Sequence, residues 1–396
     1  LAQRGVATPD HVIRTKRVPL VVPPLGPDAA AWRKAASAAL AAFVAEYQAY
    51  FNRNAARAAS PHGLAKTPLD PLPRVLAIPG LGLIGIGRNA KAAGIAADIA
   101  ASWSRTLLAA EAVGRFTPVS EEETFDLEYW SLEQAKLGPK GGGEKPPRLA
   151  GHVVLVTGGA GSIGSATCRA FALQGAEIAA LDLSEPAPGI LPRGAFFQRC
   201  DVARAHEVRA AVDAVAARLG GLDIVVSNAG SAHAGGMADM DEKELRASFD
   251  LNFFAHQLVA REAVRVFRAQ GIGGALLFNV SKQAVNPGPA FGAYGAAKAA
   301  LLALVRQYAL ENGAEGVRVN AVNADRIRSG LLTDGMIAER AKARGLSQEA
   351  YMKGNLLGRE VTAEDVAEAF VFASLMRAST GVVLTVDGGN VAAMMR

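Results

Sequence analysis

The amino-acid sequence predicts an α/β protein in which a smaller α+β region precedes a doubly wound, parallel sheet of seven strands. From residue 152 onward, short apolar runs alternate with helical patterns, as is typical of a parallel sheet covered on both faces. Before residue 137, apolar residues recur mostly at helical spacings of three and four. A length of 396 residues suits two domains of this kind.

The clearest break in the chain is the segment 137–147. It is rich in Gly and Pro, which sustain neither a helix nor a central strand, and it offers almost no side chains to bury. We therefore predict a linker at 137–147 between an N-terminal region, residues 1–136, and a C-terminal domain, residues 148–396.

The N-terminal region is predicted to contain helices and a pair of short strands. Asp28 is a candidate N-cap, and apolar residues follow it at helical spacing as far as Phe51. The predicted elements are this helix, strands Arg74–Ile78 and Leu81–Ile86, a helix over 92–107, and a last helix that follows Glu121–Glu123 and runs through Leu132.

The C-terminal domain is predicted to alternate strand and helix. Seven strands are expected, at His152–Thr157, Glu177–Leu181, Phe196–Arg199, Leu222–Ser227, Ala275–Val280, Val317–Val322 and Val382–Val386. Helices are expected at Ser162–Leu173 and Glu207–Leu219, with a long helix from Asp241.

Composition and charge argue against several classes of function. The net charge is +5, but both signs are interspersed and the basic run Arg14–Arg17 has no aromatic neighbours, so no nucleic-acid partner is expected. No apolar run reaches transmembrane length and the polar N-terminus is not a signal peptide, so no membrane association is expected. Cys168 and Cys200 have neither metal nor redox spacing, which favours a cytoplasmic protein. The missing initiator Met indicates a processed product or a fragment.

A glycine-rich turn follows the first strand of the C-terminal domain. Residues 158–164 lie between a strand and a helix, where glycines let a pyrophosphate approach backbone N–H groups at the helix N-terminus. Asp182 ends the second strand, where a carboxylate can bind ribose hydroxyls and repel a 2′-phosphate. No Arg or Lys stands in the next several residues, so NAD is expected rather than NADP. The structural alternatives are a plain strand–helix turn and an Asp that only caps a turn.

The most specific pattern is Tyr294 and Lys298 with Ser281 upstream. At i and i+4 on a helix, Tyr294 and Lys298 share one face, so the ammonium can lower the pKa of the phenol toward the range of an acid/base catalyst. Ser281 leaves a predicted strand thirteen residues before the tyrosine and can hydrogen-bond a substrate oxygen. Alone, such a pair is usually a solvated helix face, but together with the serine and the glycine turn it indicates a catalytic site.

The C-terminal domain resembles the short-chain dehydrogenase/reductase family over residues 148–396. The resemblance implies a Rossmann fold, NAD-dependent interconversion of a small-molecule alcohol and a carbonyl compound, and a homo-oligomer. Besides the glycine turn and Ser281, Tyr294 and Lys298, the residues that match in order and spacing are Asp201-Val202, Asn228-Ala229-Gly230, Asn252 and Val386-Asp387-Gly388-Gly389.

The resemblance also implies a role for each matching residue. Tyr294 is the implied general acid/base, Lys298 lowers its pKa and binds the nicotinamide ribose, and Ser281 orients the carbonyl. Asn252 is implied to hold a water for proton relay. The implied cofactor-binding residues, besides Asp182, Tyr294 and Lys298, are Gly158, Ser162, Ile163 and Gly164 at the pyrophosphate, Asp201 and Val202 at the adenine, and Asn228, Ala229 and Gly230 at the middle of the cofactor.

The sequence departs from the family pattern at three positions. Ser162 stands where single-domain members have glycine, and Ser329 stands where threonine is expected. Ala324-Asp325 replaces the usual Pro-Gly pair, which places a carboxylate near the nicotinamide end and leaves substrate choice open. The substrate-side candidates are His233, Gln283 and Asn286, although a loop histidine such as His233 is more often simply exposed.

The N-terminal region resembles the terminal part of class II aldolases over residues 74–114. Leu81 stands where that family carries a zinc-ligand histidine, and His11 and His62 form no recognisable site, so no metal is expected. The whole chain resembles the C-terminal part of bifunctional rhamnulose-1-phosphate aldolase/alcohol dehydrogenases, which implies a small hydroxy-aldehyde or sugar-derived substrate. Two other functions stay open: a metal-dependent aldolase, and a non-catalytic dinucleotide-binding module, which only Asp325 indicates.

The helix that carries Tyr294 is apolar nearly all round over residues 296–305. Only one face of it can pack on its own sheet, so the remaining apolar surface requires another cover. A second copy of the chain is the simplest cover, and the N-terminal region is the alternative.

Overall fold

The computed structural model describes residues 1–57, 66–137, 146–232 and 234–390. The chain forms two compact units, Leu1–Pro146 and Pro147–Arg396. Most of the predicted linker, residues 138–145, lies outside the described residues. Within the described ranges, no helix is both long and apolar enough to cross a membrane.

The N-terminal unit combines a small sheet with helices. Its strands are β1 (Leu20–Val21), β2 (Val75–Ile78) and β3 (Gly82–Gly85), with β1 parallel and β3 antiparallel to β2. After a 3₁₀ turn at Pro9–His11, its helices are α1 (Val12–Thr15), α2 (Ala29–Arg57), α3 (Ala90–Val113), α4 (Glu121–Glu128) and α5 (Ser131–Ala135).

Local signals explain where these helices begin. The Asn89 side chain accepts a hydrogen bond from Ala92 N and caps α3, while Ser120 and Glu123 form a capping box at α4. The predicted last helix is two helices, because the chain leaves helical geometry at Tyr129 and Trp130. Strand β1 was not predicted, since two residues are too short to show an alternating pattern.

The C-terminal unit contains a seven-stranded parallel sheet, which confirms the predicted fold. Its strands are β4 (Val153–Thr157), β5 (Glu177–Asp182), β6 (Phe196–Arg199), β7 (Ile224–Ser227), β8 (Gly274–Asn279), β9 (Val317–Ala324) and β10 (Val383–Val386). The spatial order is β10-β9-β8-β7-β4-β5-β6, so the chain runs outward from β4 on one side and from β7 on the other. In such sheets ligands bind beyond the carboxyl ends of the strands, at the point where this order reverses.

Apolar cores cover both faces of this sheet. The residues of β7 are buried throughout, as a central strand between two helical layers requires. The helices are α6 (Ser162–Leu173), α7 (Ala205–Leu219), α8 (Glu242–Phe249), α9 (Ala255–Gln270), α10 (Gly292–Asn312), α11 (Asp334–Lys342), α12 (Gln348–Met352) and α13 (Ala363–Leu375), with 3₁₀ turns at Lys282–Ala284 and Gly313–Glu315.

The long helix predicted from Asp241 is interrupted. A π-helical turn, Asp250–Phe254, separates α8 from α9. An extra residue in one turn leaves the apolar spacing on either side intact, so periodicity alone did not reveal it. Turns of this kind occur frequently at functional sites, and this one contains Asn252.

Candidate active site

Polar side chains tie together the carboxyl ends of β4, β7 and β8. The Thr157 hydroxyl accepts hydrogen bonds from the backbone N–H groups of Asn228, at 2.9 Å, and Ala229, at 3.1 Å. The Asn228 amide donates to Thr157 O at 3.0 Å, and its oxygen accepts from Asn279 Nδ2 at 2.8 Å. These hydrogen bonds hold the carboxyl ends of the three strands together, next to the point between β4 and β7 where the strand order reverses.

Lys298 brings a buried ammonium to this place. Its side chain is 2% exposed, and Nζ donates to the backbone oxygen of Asn279 at 2.9 Å. Nζ also lies 3.2 Å from His256 Nε2 and 5.8 Å from the centre of the Tyr294 ring. Burial lowers the pKa of Lys298 to about 7, because removal from water disfavours the charged form.

Tyr294 lies one helical turn before Lys298 and is buried. Burial raises the pKa of Tyr294 to about 12, and a hydrogen bond with Ser281 opposes this rise. Ser281 ends the segment after β8, where its hydroxyl caps a 3₁₀ turn by accepting from Gln283 N at 3.3 Å. The structure therefore brings Ser281, Tyr294 and Lys298 together.

Asn252 reaches the same place from the π-helical turn. Its amide nitrogen donates to Ser231 O at 2.9 Å and its oxygen accepts from Ser231 N at 3.2 Å. A Cβ atom on Gly230 would lie 2.9 Å from Asn252 Oδ1 and 3.7 Å from Lys298 Nζ. Glycine at 230 thus allows Asn252 and Lys298 to approach the same backbone segment.

His256 belongs to this cluster and was not predicted from the sequence. It is 1% exposed, with Nδ1 at 2.7 Å from Ser227 Oγ and Nε2 facing Lys298. Burial, with the charge of Lys298 as a second cause, holds the pKa of His256 well below its usual range. The available signal was a histidine four residues after Asn252, which places both on one side of a helix.

The glycine turn before α6 has the geometry of an anion cradle. Gly158 has φ +65°, and a Cβ on Gly164 would lie 1.9 Å from Gly158 O, so neither position accepts a side chain. The N-cap residue Gly161 makes no side-chain cap, which leaves N–H groups of the first turn available to a phosphate. These residues fit the pyrophosphate of a dinucleotide.

Ser162 and Ile163, which were also predicted at the pyrophosphate, make contacts elsewhere in the unit. The Ser162 hydroxyl donates to Arg328 O at 3.1 Å, so it ties the turn to the segment after β9. Ile163 packs against the core on one face of the sheet.

Asp182 braces the glycine turn. Its carboxylate accepts hydrogen bonds from Ala160 N at 3.0 Å and Ser184 N at 3.3 Å. Parallel pairing places Arg199 of β6 directly opposite Asp182, and Arg199 Nε donates to Leu183 O at 3.1 Å. The sequence indicated no cation close to Asp182, because this arginine is distant along the chain.

The residues predicted at the adenine end have structural partners. The Asp201 carboxylate accepts from Ala203 N at 3.0 Å and from Arg204 Nε at 3.1 Å, so it stabilises the turn before α7. Val202 is buried in the core.

Two of the three predicted substrate-side residues, Gln283 and Asn286, lie between β8 and α10. Gln283 Oε1 accepts from Gly288 N at 2.6 Å and shapes this loop, and Asn286 is partly exposed on it. His233 lies outside the described residues.

Asp325 is buried and paired with cations. Lys282 Nζ lies 2.8 Å from one carboxylate oxygen and Arg326 Nε 3.4 Å from the other, which also accepts from Asn390 Nδ2. Asp325 therefore brings no unpaired negative charge to this end of the sheet. The Ser329 hydroxyl donates to Ile327 O at 3.2 Å.

Of the N-terminal residues considered in relation to a metal, the structure describes Leu81 and His11. Leu81 is exposed between β2 and β3, His11 Nδ1 lies 2.6 Å from Thr8 Oγ1, and His62 lies outside the described residues. In the part of the chain that the structure describes, no three His, Cys, Asp or Glu side chains converge as metal ligands do.

Family models match both parts of the chain. Residues 158–390 match the model described as enoyl-(acyl carrier protein) reductase, and residues 1–137 match the second domain of class II aldolase.

Individual proteins show the same division. The chain is 34% identical over 417 residues to the uncharacterized oxidoreductase YuxG of Bacillus subtilis, an alignment that covers 100% of this chain and 59% of that protein. It is 37% identical to 4-formylbenzenesulfonate dehydrogenase of Comamonas testosteroni, over 60% of this chain and 97% of that one. The crystal structure of 3-ketoacyl-(acyl-carrier-protein) reductase from Brucella melitensis complexed with NADH matches with a TM-score of 0.55 and 26% identity, over 61% and 98% of the two chains.

The buried Lys298 ammonium predicts a pH dependence of stability. Its pKa is about 7 in the folded protein against 10.5 as the ordinary value, so between these pH values the unfolded chain binds the proton and the folded protein does not. The free energy of unfolding of the cofactor-free protein should therefore rise with pH in this window, by up to about 1.4 kcal/mol per pH unit from this group.

Urea denaturation from pH 6 to 10 measures this rise. Lys298→Met should lower the slope by the contribution of this group and leave the rise that the buried Lys16 gives above pH 8. Lys243→Met, at an exposed lysine of α8, should leave the slope unchanged. Parallel curves for the wild type and Lys298→Met would show that the ammonium keeps its proton in the folded protein.

Proposed function

Because the chain belongs to the short-chain dehydrogenase/reductase family of oxidoreductases, we propose that its C-terminal unit interconverts an alcohol and a carbonyl compound with NAD as cofactor. The observation that supports this function most directly is the buried Tyr294 phenol, which is hydrogen-bonded to Ser281 and lies beside the Lys298 ammonium. A reducing compartment is proposed as well, since Cys168 and Cys200 are separate, buried thiols.

NAD, when bound, would provide the hydride donor or acceptor, and in this proposal the chain's own residues act on the substrate oxygen. The Ser281 hydroxyl orients that oxygen, and the Tyr294 phenol gives it a proton in reduction or takes one in oxidation. The Lys298 ammonium favours the phenolate by its charge, so it counteracts the effect of burial on Tyr294 when the proton leaves. Asn252 holds the backbone at Ser231 in place beside the ammonium.

The protonation state of Tyr294 favours one direction at neutral pH. With a pKa of about 12 the phenol carries its proton, so it is ready to act as an acid in carbonyl reduction. Oxidation requires the phenolate, and its rate should therefore rise as the pH rises.

The residues that would hold NAD follow the carboxyl edge of the sheet. The uncapped N-terminus of α6 fits the pyrophosphate, as described above, and Asp182 lies where the ribose of the adenosine half would bind. The full proposed set is Gly158, Ser162, Ile163, Gly164, Asp182, Asp201, Val202, Asn228, Ala229, Gly230, Tyr294 and Lys298.

Preference for NAD over NADP rests on a balance of two charges. The Asp182 carboxylate would repel a 2′-phosphate, whereas Arg199 on the neighbouring strand would attract one. We propose that Asp182 determines the preference for NAD, because Arg199 is exposed and its charge is therefore screened by solvent. The Brucella relative was crystallised with NADH, which is consistent with this choice.

A small hydroxy-aldehyde or sugar-derived compound is the proposed substrate class. The N-terminal unit matches an aldolase domain, and aldol cleavage releases an aldehyde that a dehydrogenase in the same polypeptide could process. Aldol cleavage by a longer polypeptide is the second candidate function, since this chain spans only 59% of the Bacillus relative.

Tyr294→Phe tests the assignment of the acid/base. Loss of the phenol should lower turnover by roughly 10²–10⁴-fold and leave NADH affinity nearly unchanged, because only proton transfer requires the hydroxyl. Turnover is followed by NADH absorbance over a panel of hydroxy-aldehydes and sugars. Tyr308→Phe on the same helix is the matched control, and retention of more than about a tenth of the rate in Tyr294→Phe would rule out the assignment.

Asp182→Ala tests cofactor choice. The wild type should have a higher kcat/KM with NAD(H) than with NADP(H). The substitution should lower the ratio of these two values, because it removes a charge that repels the 2′-phosphate. Arg199→Ala should raise the ratio of NAD(H) to NADP(H) efficiency, since a 2′-phosphate would then lose an attractive charge. Equal efficiency with both cofactors in the wild type would contradict the role of Asp182.

A homo-oligomer built on α10 is also proposed. Leu301 and Val305 are buried within the unit, but Ala296, Ala299 and Ala303 form an exposed stripe of small residues on the other side of the helix. Residues 148–396 expressed alone should fold, bind NADH and sediment as an oligomer at micromolar concentration, and Ala299→Arg should shift them toward the monomer. An active monomer of the unsubstituted fragment would contradict the proposal.

A further inference from the structure

His256 is a buried titratable side chain that the mechanism above does not use. It lies in the first turn of α9, four residues after Asn252, and it is enclosed between the end of β7 and Lys298 on α10. A buried imidazole beside a buried ammonium costs free energy unless the two share a hydrogen bond.

The contacts determine how this imidazole is protonated. A lysine ammonium only donates, so His256 Nε2, 3.2 Å from Lys298 Nζ, must accept. The ring proton then lies on Nδ1, from which it is donated to Ser227 Oγ at 2.7 Å. Ser227 is itself buried at the end of β7, so the sheet holds the tautomer in place.

We propose that His256 is a positioning residue for Lys298: its neutral imidazole, held in the Nδ1–H tautomer by Ser227, fixes the ammonium beside Tyr294. This inference rests on the proposed dehydrogenase function. It adds His256 and Ser227 to the residues on which the reaction depends.

The directions of the ammonium's hydrogen bonds explain why such a residue matters. One N–H of Lys298 is bound by Asn279 O at 2.9 Å and a second by His256, which come from β8 and α9. Two acceptors on different elements fix the direction of the third N–H, which is the one left for the site. Without the imidazole, a buried donor is unsatisfied, and the ammonium either moves or loses its proton.

The surroundings of His256 make this effect specific. The charged group that acts on it is Lys298. The other elements packed against it supply the Ser227 hydroxyl from β7 and the Phe278 ring, 6.1 Å away, from β8. Among the residues that the structure describes, no carboxylate acts on the imidazole, so its state follows from Ser227 and Lys298.

The tautomer can be measured without any turnover. In ¹⁵N-histidine-labelled wild type, the His256 resonances, identified by their loss in His256→Gln, should report a neutral ring with Nδ1 protonated from pH 6 to 7, where Lys298 still carries its proton. A neutral ring protonated at Nε2, or titration to the imidazolium in this range, would overturn the proposal.

Kinetics then test the consequence for catalysis. His256→Leu keeps the volume but removes the acceptor, so kcat for alcohol oxidation should fall roughly tenfold to a hundredfold. Its rise with pH should shift upward by about one pH unit, because a less stable ammonium stabilises the phenolate less. In His256→Gln the side-chain oxygen can accept a hydrogen bond, so this variant should restore most of kcat and most of the wild-type pH profile. His206→Leu, at an exposed histidine, is the control.

A merely structural histidine gives a different result. It would lower the melting temperature in His256→Leu and leave the pH profile in place, and an unshifted profile in a folded variant overturns the proposal. If His256→Leu does not fold, Ser227→Ala serves, since loss of the tautomer's partner should shift the profile in the same direction. Absence of turnover in the wild type on every substrate would contradict the proposed function, and the tautomer measurement still decides the part played by His256.

Discussion

The constraint on which the site depends is the burial of the Lys298 ammonium. A charge removed from water must be hydrogen-bonded by groups that are already in place, and here a backbone oxygen at the end of β8 and the imidazole on α9 do this. The Asn279 oxygen is in turn positioned by the bonds among Thr157, Asn228 and Asn279 across β4, β7 and β8. The position of the Lys298 ammonium therefore depends on the order of the strands in the sheet.

Burial acts on both members of the Tyr294–Lys298 pair in the direction of neutrality. It raises the pKa of Tyr294 to about 12 and lowers the pKa of Lys298 to about 7, so each charge alone is disfavoured. Only the charged pair compensates, since phenolate and ammonium attract each other strongly where water is excluded. This balance suits the acid/base role proposed for Tyr294, because small changes in the position of the ammonium alter it.

Asp182, at the carboxyl edge of the sheet, combines a structural role with a proposed role in cofactor binding. Asp182 braces the glycine turn through Ala160 N and also supplies the charge expected to discriminate against a 2′-phosphate. The structural and functional interpretations of this residue are thus compatible. Asp325 differs, because Lys282 and Arg326 neutralise it, and the single observation that indicated a non-catalytic module loses its force.

The sequence by itself determined the parallel sheet, the glycine turn and the pairing of Tyr294 with Lys298. All of these depend on residues close together in the chain: apolar runs, a strand–turn–helix string and an i, i+4 spacing. Only the tertiary structure decided the partners of those residues, because they come from strands and helices far apart in sequence. It placed Arg199 opposite Asp182 and Lys282 on Asp325, and it joined Ser227 and His256 to Lys298. No local spacing encodes such contacts, since they follow from which strands pair and at what register.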